Sequence, residues 1–171
     1  GGIDLDALDD ALRARPALLI VCNPHNPLGR VASRDELAAI AEVVERHGGR
    51  VFADEIHAPL VLDDIAHVPY ASVSEAAASH ALTAFAASKA FNTPGLRCAQ
   101  IVTRDRATFE RLTSVPMLRN DSWSTLGVVG SIAAYRHGDA WLDALLARLG
   151  ELRTLLGDLL AEHLPEARMR P

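Results

Sequence analysis

Residues Leu82–Arg97 read LTAFAASKAFNTPGLR. An apolar run of strand length gives way there to Ser88-Lys89, and Asn92-Thr93-Pro94-Gly95 follows. Lys89 is the only lysine in the chain, which otherwise takes its long cations as Arg. The two residue types differ in one useful way. A desolvated Lys amine can shed its proton and attack a carbonyl, whereas Arg stays protonated. Any single lysine is ordinarily a solvent-facing one, so the company Lys89 keeps has to decide its role.

Upstream, Ala17–Cys22 (ALLIVC) is a continuous apolar run. That is the pattern of a strand buried on both faces of a parallel sheet. It ends at Asn23-Pro24-His25-Asn26-Pro27-Leu28-Gly29-Arg30, where two prolines and a glycine forbid further strand. Ser33 and Glu36 then form a capping box. Leu37, Ile40, Ala41 and Val44 mark one helical face, and His47-Gly48-Gly49 supplies the stop. Arg50–Glu55 reads as a second strand, with Asp54, Glu55 and His57 at its end. Strand, helix, strand in this order is a right-handed parallel crossover.

The remaining elements follow the same rules. Leu5, Leu8 and Leu12 predict a short helix over Asp4–Ala14, closed by Pro16. Asp63–Tyr70 reads as loop, and Ser72–Ala78 as a helix capped by Ser72 or Ser74. Ala81–Ala87 is the third strand and Cys98–Thr103 the fourth. Only about ten residues join them, marginal for a parallel crossover, so the fourth strand is expected to run antiparallel. Helices are expected over Asp105–Leu112 and from Ser122 or Ser124 to Arg136. A long helix runs from Trp141 to Pro165, with leucines recurring at threes and fours.

Composition sets the class. The 171 residues are 49% apolar and 23% charged, with net charge −5, enough for one domain with a real core. Mild acidity without a basic stripe argues against a nucleic-acid partner. No apolar run approaches the ~20 residues of a membrane span, and the polar N-terminal stretch lacks a signal-peptide pattern. Cys22 and Cys98 sit in or beside strand-like runs and read as reduced, buried residues of a cytoplasmic protein. No Cys/His spacing fits a zinc site, so no metal is expected.

Three polar groups fall just past strand ends: Asn26, then Asp54 with His57, then Lys89. In open α/β sheets that edge is where ligands bind. Lys89 can form a Schiff base with an aldehyde. Asp54 can stay ionised against a protonated ring nitrogen, Asn26 can donate to a ring oxygen, and Arg97 can bind a phosphate bidentately. Together these describe pyridoxal 5'-phosphate (PLP).

The motifs NPHNPLG (Asn23–Gly29), DEIH (Asp54–His57) and SKAFNTPGLR (Ser88–Arg97) resemble, in order, the three signature stretches of fold-type I PLP enzymes of the class I/II aminotransferase kind. The DEIH form is similar to the cystathionine β-lyase (MalY/PatB-type) branch, because most aminotransferases carry Tyr where this chain has His57. The resemblance implies an α/β fold. It would be a partial large domain with about four strands, the last antiparallel, flanking helices and a long C-terminal helix. It implies that Lys89 is the catalytic lysine and proton shuttle. Asp54 would pair with the pyridine nitrogen, Asn26 would bond the ring oxygen, His57 would stand beside the cofactor, and Ser88 and Arg97 would hold the phosphate. Ala86 stands where many relatives place a phosphate-binding Ser.

The implied reaction on an amino acid is a PLP-dependent C–S β-elimination, with transamination as the alternative reading. Residues 1–164 would be the central part of the PLP-binding large domain, and 165–171 the start of a small domain. Family members also have an upstream phosphate loop and a downstream carboxylate-binding Arg, so the chain resembles a fragment. As a truncated domain it would be inactive or nearly so. In the full-length enzyme a homodimer is expected.

Overall fold

The computed structural model describes residues 2–15, 18–63, 65–116 and 123–169. The order is α1 (Leu5–Ala14), β1 (Leu18–Cys22), α2 (Arg34–Arg46), β2 (Arg50–Asp54), α3 (Glu75–His80), β3 (Ala81–Phe85), α4 (Ala87–Ala90), β4 (Gln100–Val102), α5 (Arg106–Thr113), α6 (Thr125–His137) and α7 (Asp139–His163). Single 3-10 turns lie at Tyr70–Ser72 and Pro94–Leu96. The strands form one sheet in the order β1-β2-β3-β4. β1, β2 and β3 pair in parallel, and β4 is antiparallel to β3. The short connection before β4 thus has the consequence expected of it.

Local chemistry sets most boundaries. Asp4 caps α1 through its side chain. Ser33 and Glu36 complete the capping box of α2, each side chain reaching the other's backbone N–H. Ser74, not Ser72, caps α3, and Ser72 sits in the preceding 3-10 turn. Asp105 caps α5 and Ser124 caps α6, while Ser122, Pro16 and Ala17 lie outside the described residues. The third strand stops at Phe85 rather than Ala87. Ala86, still extended, is the N-cap, and the chain turns into the one-turn helix α4 at Ala87, so Ser88 and Lys89 belong to that helix. The fourth strand is shorter than Cys98–Thr103 for the same kind of reason: Arg97 has a left-handed backbone that turns the chain just before it.

The core lies on one face of the sheet. Val21, Val51, Ala53 and Ala81 point into it and meet Leu12 of α1, Leu37, Ile40 and Val44 of α2, Ala77 of α3 and Tyr70. The opposite face is open: Ile20 is 65% exposed and Ile101 50%. β1 is therefore not buried on both faces, contrary to the expectation from its apolar run. A continuous apolar run records the chemistry of both faces but not whether something covers each. Cys22 and Cys98 are half-buried free thiols rather than buried ones, because both sit where the chain leaves the sheet. The leucines of α7 are likewise only partly covered, Leu155 being 51% exposed. No helix among the described residues is long and apolar enough to cross a membrane.

Two predictions follow from this packing. Leu37 is fully buried, so Leu37→Ala should cost about 2–5 kcal/mol, read by denaturant unfolding. Asp9 ties α1 to α2, accepting from Arg46 Nη1 at 2.6 Å and meeting His47 Nε2 at 2.9 Å. The His47 hydrogen bond, then the Arg13 and Arg46 charges, hold its carboxyl below the ordinary range. A depressed folded-state pKa stabilises above the unfolded value and is lost as pH falls through the folded one. Asp9→Asn should therefore lower the melting temperature at neutral pH. That deficit should shrink as pH falls below about 4.

Candidate active site

Parallel pairing in register places three strand exits on one sheet edge. Cys22 pairs with Asp54 and Asp54 with Ala84. The ladder continues one step beyond: Asn23 N–H donates to Asp54 O at 3.0 Å, and Glu55 N–H to Ala84 O at 2.9 Å. Asn26 lies three residues past Asn23, Asp54 ends β2, and Lys89 lies five past Ala84.

The loop after β1 is tied down from inside. Asn23 is 2% exposed, and its Oδ1 accepts from Ala32 N–H at 2.8 Å. His25 N–H donates to Arg30 O, and Gly29 N–H to His25 O. Gly29 takes φ +69°, a conformation that favours glycine. Asn26 is left exposed at the rim, and among the described residues its side chain has no hydrogen-bond partner. Asn23 is the loop's anchor, a part the motif did not reveal. Its buried position, two residues past the last buried strand residue Val21 and on the same face, is the signal that only the folded chain supplies.

Asp54 shares its face with Phe52, opposite Val51 and Ala53. It is half-buried, and its Oδ1 accepts from Ile56 N–H at 3.3 Å. His57 follows in the turn, and its buried Nδ1 has no partner among the described residues. Lys89 is exposed on α4, whose Ala87 and Ala90 are buried. That helix is pinned by the next residue, Phe91, which meets Tyr135 edge-on and Trp141 at a tilt, with ring centroids about 6 Å away. Gly138 leaves room for Phe91: a Cβ there would stand 2.4 Å from its ring.

Ser88 and Arg97 line one cavity of about 770 Å³, with Ala86, Pro94 and Thr103. Asn26, Asp54, His57 and Lys89 do not line it. Arg97 is exposed, at φ +50°, and its guanidinium has no ion-pair or hydrogen-bond partner among the described residues. Its segment is fixed from behind by Ser124, whose Oγ donates to Leu96 O at 2.7 Å and accepts from Gly127 N–H at 2.9 Å. Gly127 itself permits the approach, since a Cβ there would fall 2.3 Å from Leu96 O. Sequence reading missed these two supports, because neither carries chemistry of its own.

The donor set fits PLP. A lysine amine and a carboxylate at a neighbouring strand end are the groups this cofactor recruits, and beside them stand an imidazole nitrogen and a guanidinium that are without partners among the described residues. Among the described residues no cluster of His, Cys, Asp and Glu is placed to hold a metal.

Comparison with known proteins agrees. Residues 1–169 match the family model described as aminotransferase class I and II. A Mycobacterium tuberculosis relative is 43% identical over 178 residues, covering 99% of this chain and 43% of its own. Cystathionine beta-lyase PatB of Bacillus subtilis is 35% identical over 170 residues, covering 98% and 44%. The crystal structure of a PLP-bound C-S lyase from Staphylococcus hominis superposes with TM-score 0.88 at 30% identity, covering 96% of this chain and 41% of that one. The chain thus spans less than half the length of the curated relatives it matches. With its signature stretches at the ends of three adjacent parallel strands, and with that coverage, the chain belongs to the class I and II aminotransferase family of PLP-dependent proteins.

Proposed function

We propose that the whole protein carrying this chain is a PLP-dependent C–S β-lyase acting on an amino acid such as cystathionine. The observation that carries the reading is the in-register edge of β1, β2 and β3, from which Asn26, Asp54 and Lys89 leave in turn. Similarity to proteins named cystathionine beta-lyase and C-S lyase supports this reaction. The DEIH form of the β2 end supports the same choice. In this reading residues 1–164 are the central part of the large domain, and 165–171 begin the small one. The enzyme is cytoplasmic and works as a homodimer.

When bound, PLP supplies an electron sink for the carbanion formed at the substrate Cα. The chain's residues then divide the remaining work. Lys89 would hold the cofactor, and its Nζ would act as the general base for the substrate's Cα proton. Asp54 keeps a proton on the ring nitrogen by standing ionised against it, which needs a carboxylate rather than an amide. Asn26 donates its amide N–H to the ring oxygen, and His57 offers its orphaned Nδ1 near the ring. Arg97 and Ser88 bind the phosphate, the guanidinium in a bidentate fork that a lysine cannot copy. The same Lys89 Nζ would serve as the base in either elimination or transamination.

The full-length protein incubated with cystathionine should release pyruvate, ammonia and a thiol without any added keto acid. Turnover that requires a keto-acid acceptor would assign the aminotransferase reaction instead. Lys89→Ala should lower the rate by at least about 10²–10⁴-fold and abolish the visible absorption of lysine-bound cofactor. Retention of both would remove Lys89 from the site. Arg97→Lys should raise the PLP concentration needed for half-saturation while leaving that absorption in place; unchanged saturation would remove Arg97 from the phosphate site.

A further inference from the structure

We propose that Glu55 is the positioning residue for Asp54: gripped from the covered face of the sheet, it decides which of two consecutive carboxylates faces the cofactor. The inference rests on the PLP reading above. Side chains alternate along a strand, so a slip by one residue exchanges the faces of every group on it. At the end of β2 that slip would replace one acid by another, since Asp54 and Glu55 are adjacent. Residue type alone leaves either carboxylate able to reach the site. Something has to fix the choice.

Glu55 continues the buried parity of Val51 and Ala53 and is only 5% exposed. A carboxylate on that apolar face is costly unless it is hydrogen-bonded. Here Oε1 accepts the Tyr70 backbone N–H at 2.7 Å. Tyr70 opens a 3-10 turn that has no side-chain cap of its own, so Glu55 serves as its cap from 15 residues away. Oε2 lies 3.3 Å from His67 Nε2, although neither ring nitrogen of His67 makes a hydrogen bond.

The anchor is rigid. Tyr70 is fully buried, and its hydroxyl is 2.8 Å from His80 Nε2. Burial, then the Glu45 charge, pushes the Tyr70 phenol far up. On its other side His80 Nδ1 lies 3.3 Å from Glu45 Oε2, a carboxylate oxygen that can only accept, so Nδ1 is the donor there. The grip on Glu55 thus runs back through Tyr70 and His80 to α2. Asp54, held to the other parity, keeps its carboxylate on the open face.

The test uses the full-length holoenzyme. Glu55→Gln keeps an acceptor for Tyr70 N–H, whereas Glu55→Leu fills similar space without one. Glu55→Leu should weaken PLP affinity by about tenfold or more, the scale on which misplacement of a supporting group is felt. It should also shift the visible absorption of the cofactor in the direction that Asp54→Asn does. Glu55→Gln should stay close to wild type in both. If Glu55→Leu does not fold, Glu55→Asp decides, since it withdraws the acceptor by one methylene and should weaken affinity and shift absorption the same way.

Wild-type affinity and absorption in Glu55→Leu, or in Glu55→Asp where the former does not fold, overturn the proposal. So does equal impairment of Glu55→Gln, or a lower melting temperature with unchanged cofactor absorption. A wild-type protein that acquires no lysine-dependent cofactor absorption overturns the PLP reading itself, and this inference with it. Normal binding in wild type with indifferent Glu55 variants overturns the positioning role alone.

Discussion

Everything in this chain depends on the parallel pairing of β2 with a neighbour on each side. β2 bonds to β1 and to β3 in matched register, and the ladder runs one residue past the strand ends on both sides. Parallel strands all exit at the same edge, so groups 28 and 35 residues apart in sequence leave from adjacent points. The helices between the strands are what make this possible. A parallel connection must carry the chain back across the sheet, and α2 does so with its apolar side against the strands. The site is thus a product of topology before it is a product of any side chain.

The sheet is two-sided, and its sides are unequal. α1, α2 and α3 bury one face, while Ile20 and Ile101 stand exposed on the other. Asp54 belongs to the less covered side, where a cofactor ring can approach it. Glu55 belongs to the covered side, where the Tyr70 backbone N–H donates to it and His67 lies beside it. A single strand end therefore leaves one carboxylate on the open face and uses the next for anchorage. The small residues Gly127 and Gly138 do comparable work for the opposite wall, letting α6 and the start of α7 approach the segments that carry Arg97 and Lys89.

Much of the architecture was legible beforehand. The Ser33–Glu36 capping box, the apolar face of α2 and the antiparallel turn into β4 depend on local chemistry and chain length, which sequence carries directly. Less was legible where packing decides. The third strand ended two residues early, because α4 begins at Ala87, and alanines suit strand end and helix alike. β1 looked doubly buried but is covered on one face only. At the site, Asn26, Asp54 and Lys89 were visible as strand-end groups. Asn23, Ser124 and Gly127 were not, since their roles are to hold backbone segments distant in sequence.

Sequence alone determined which chemical groups the chain owns and in what order they leave the strands: an amide, a carboxylate with an imidazole, an amine, a guanidinium. It also determined the family, through motifs whose spacing tolerates few other readings. Only the tertiary structure decided which way those groups face. A strand's alternation fixes each side chain relative to its neighbours, but the absolute choice of face is made by whatever packs on the sheet. Here that choice is made by helices and a tyrosine turn far away in sequence, which is why DE at the end of β2 reads as two equal acids and folds as two different ones.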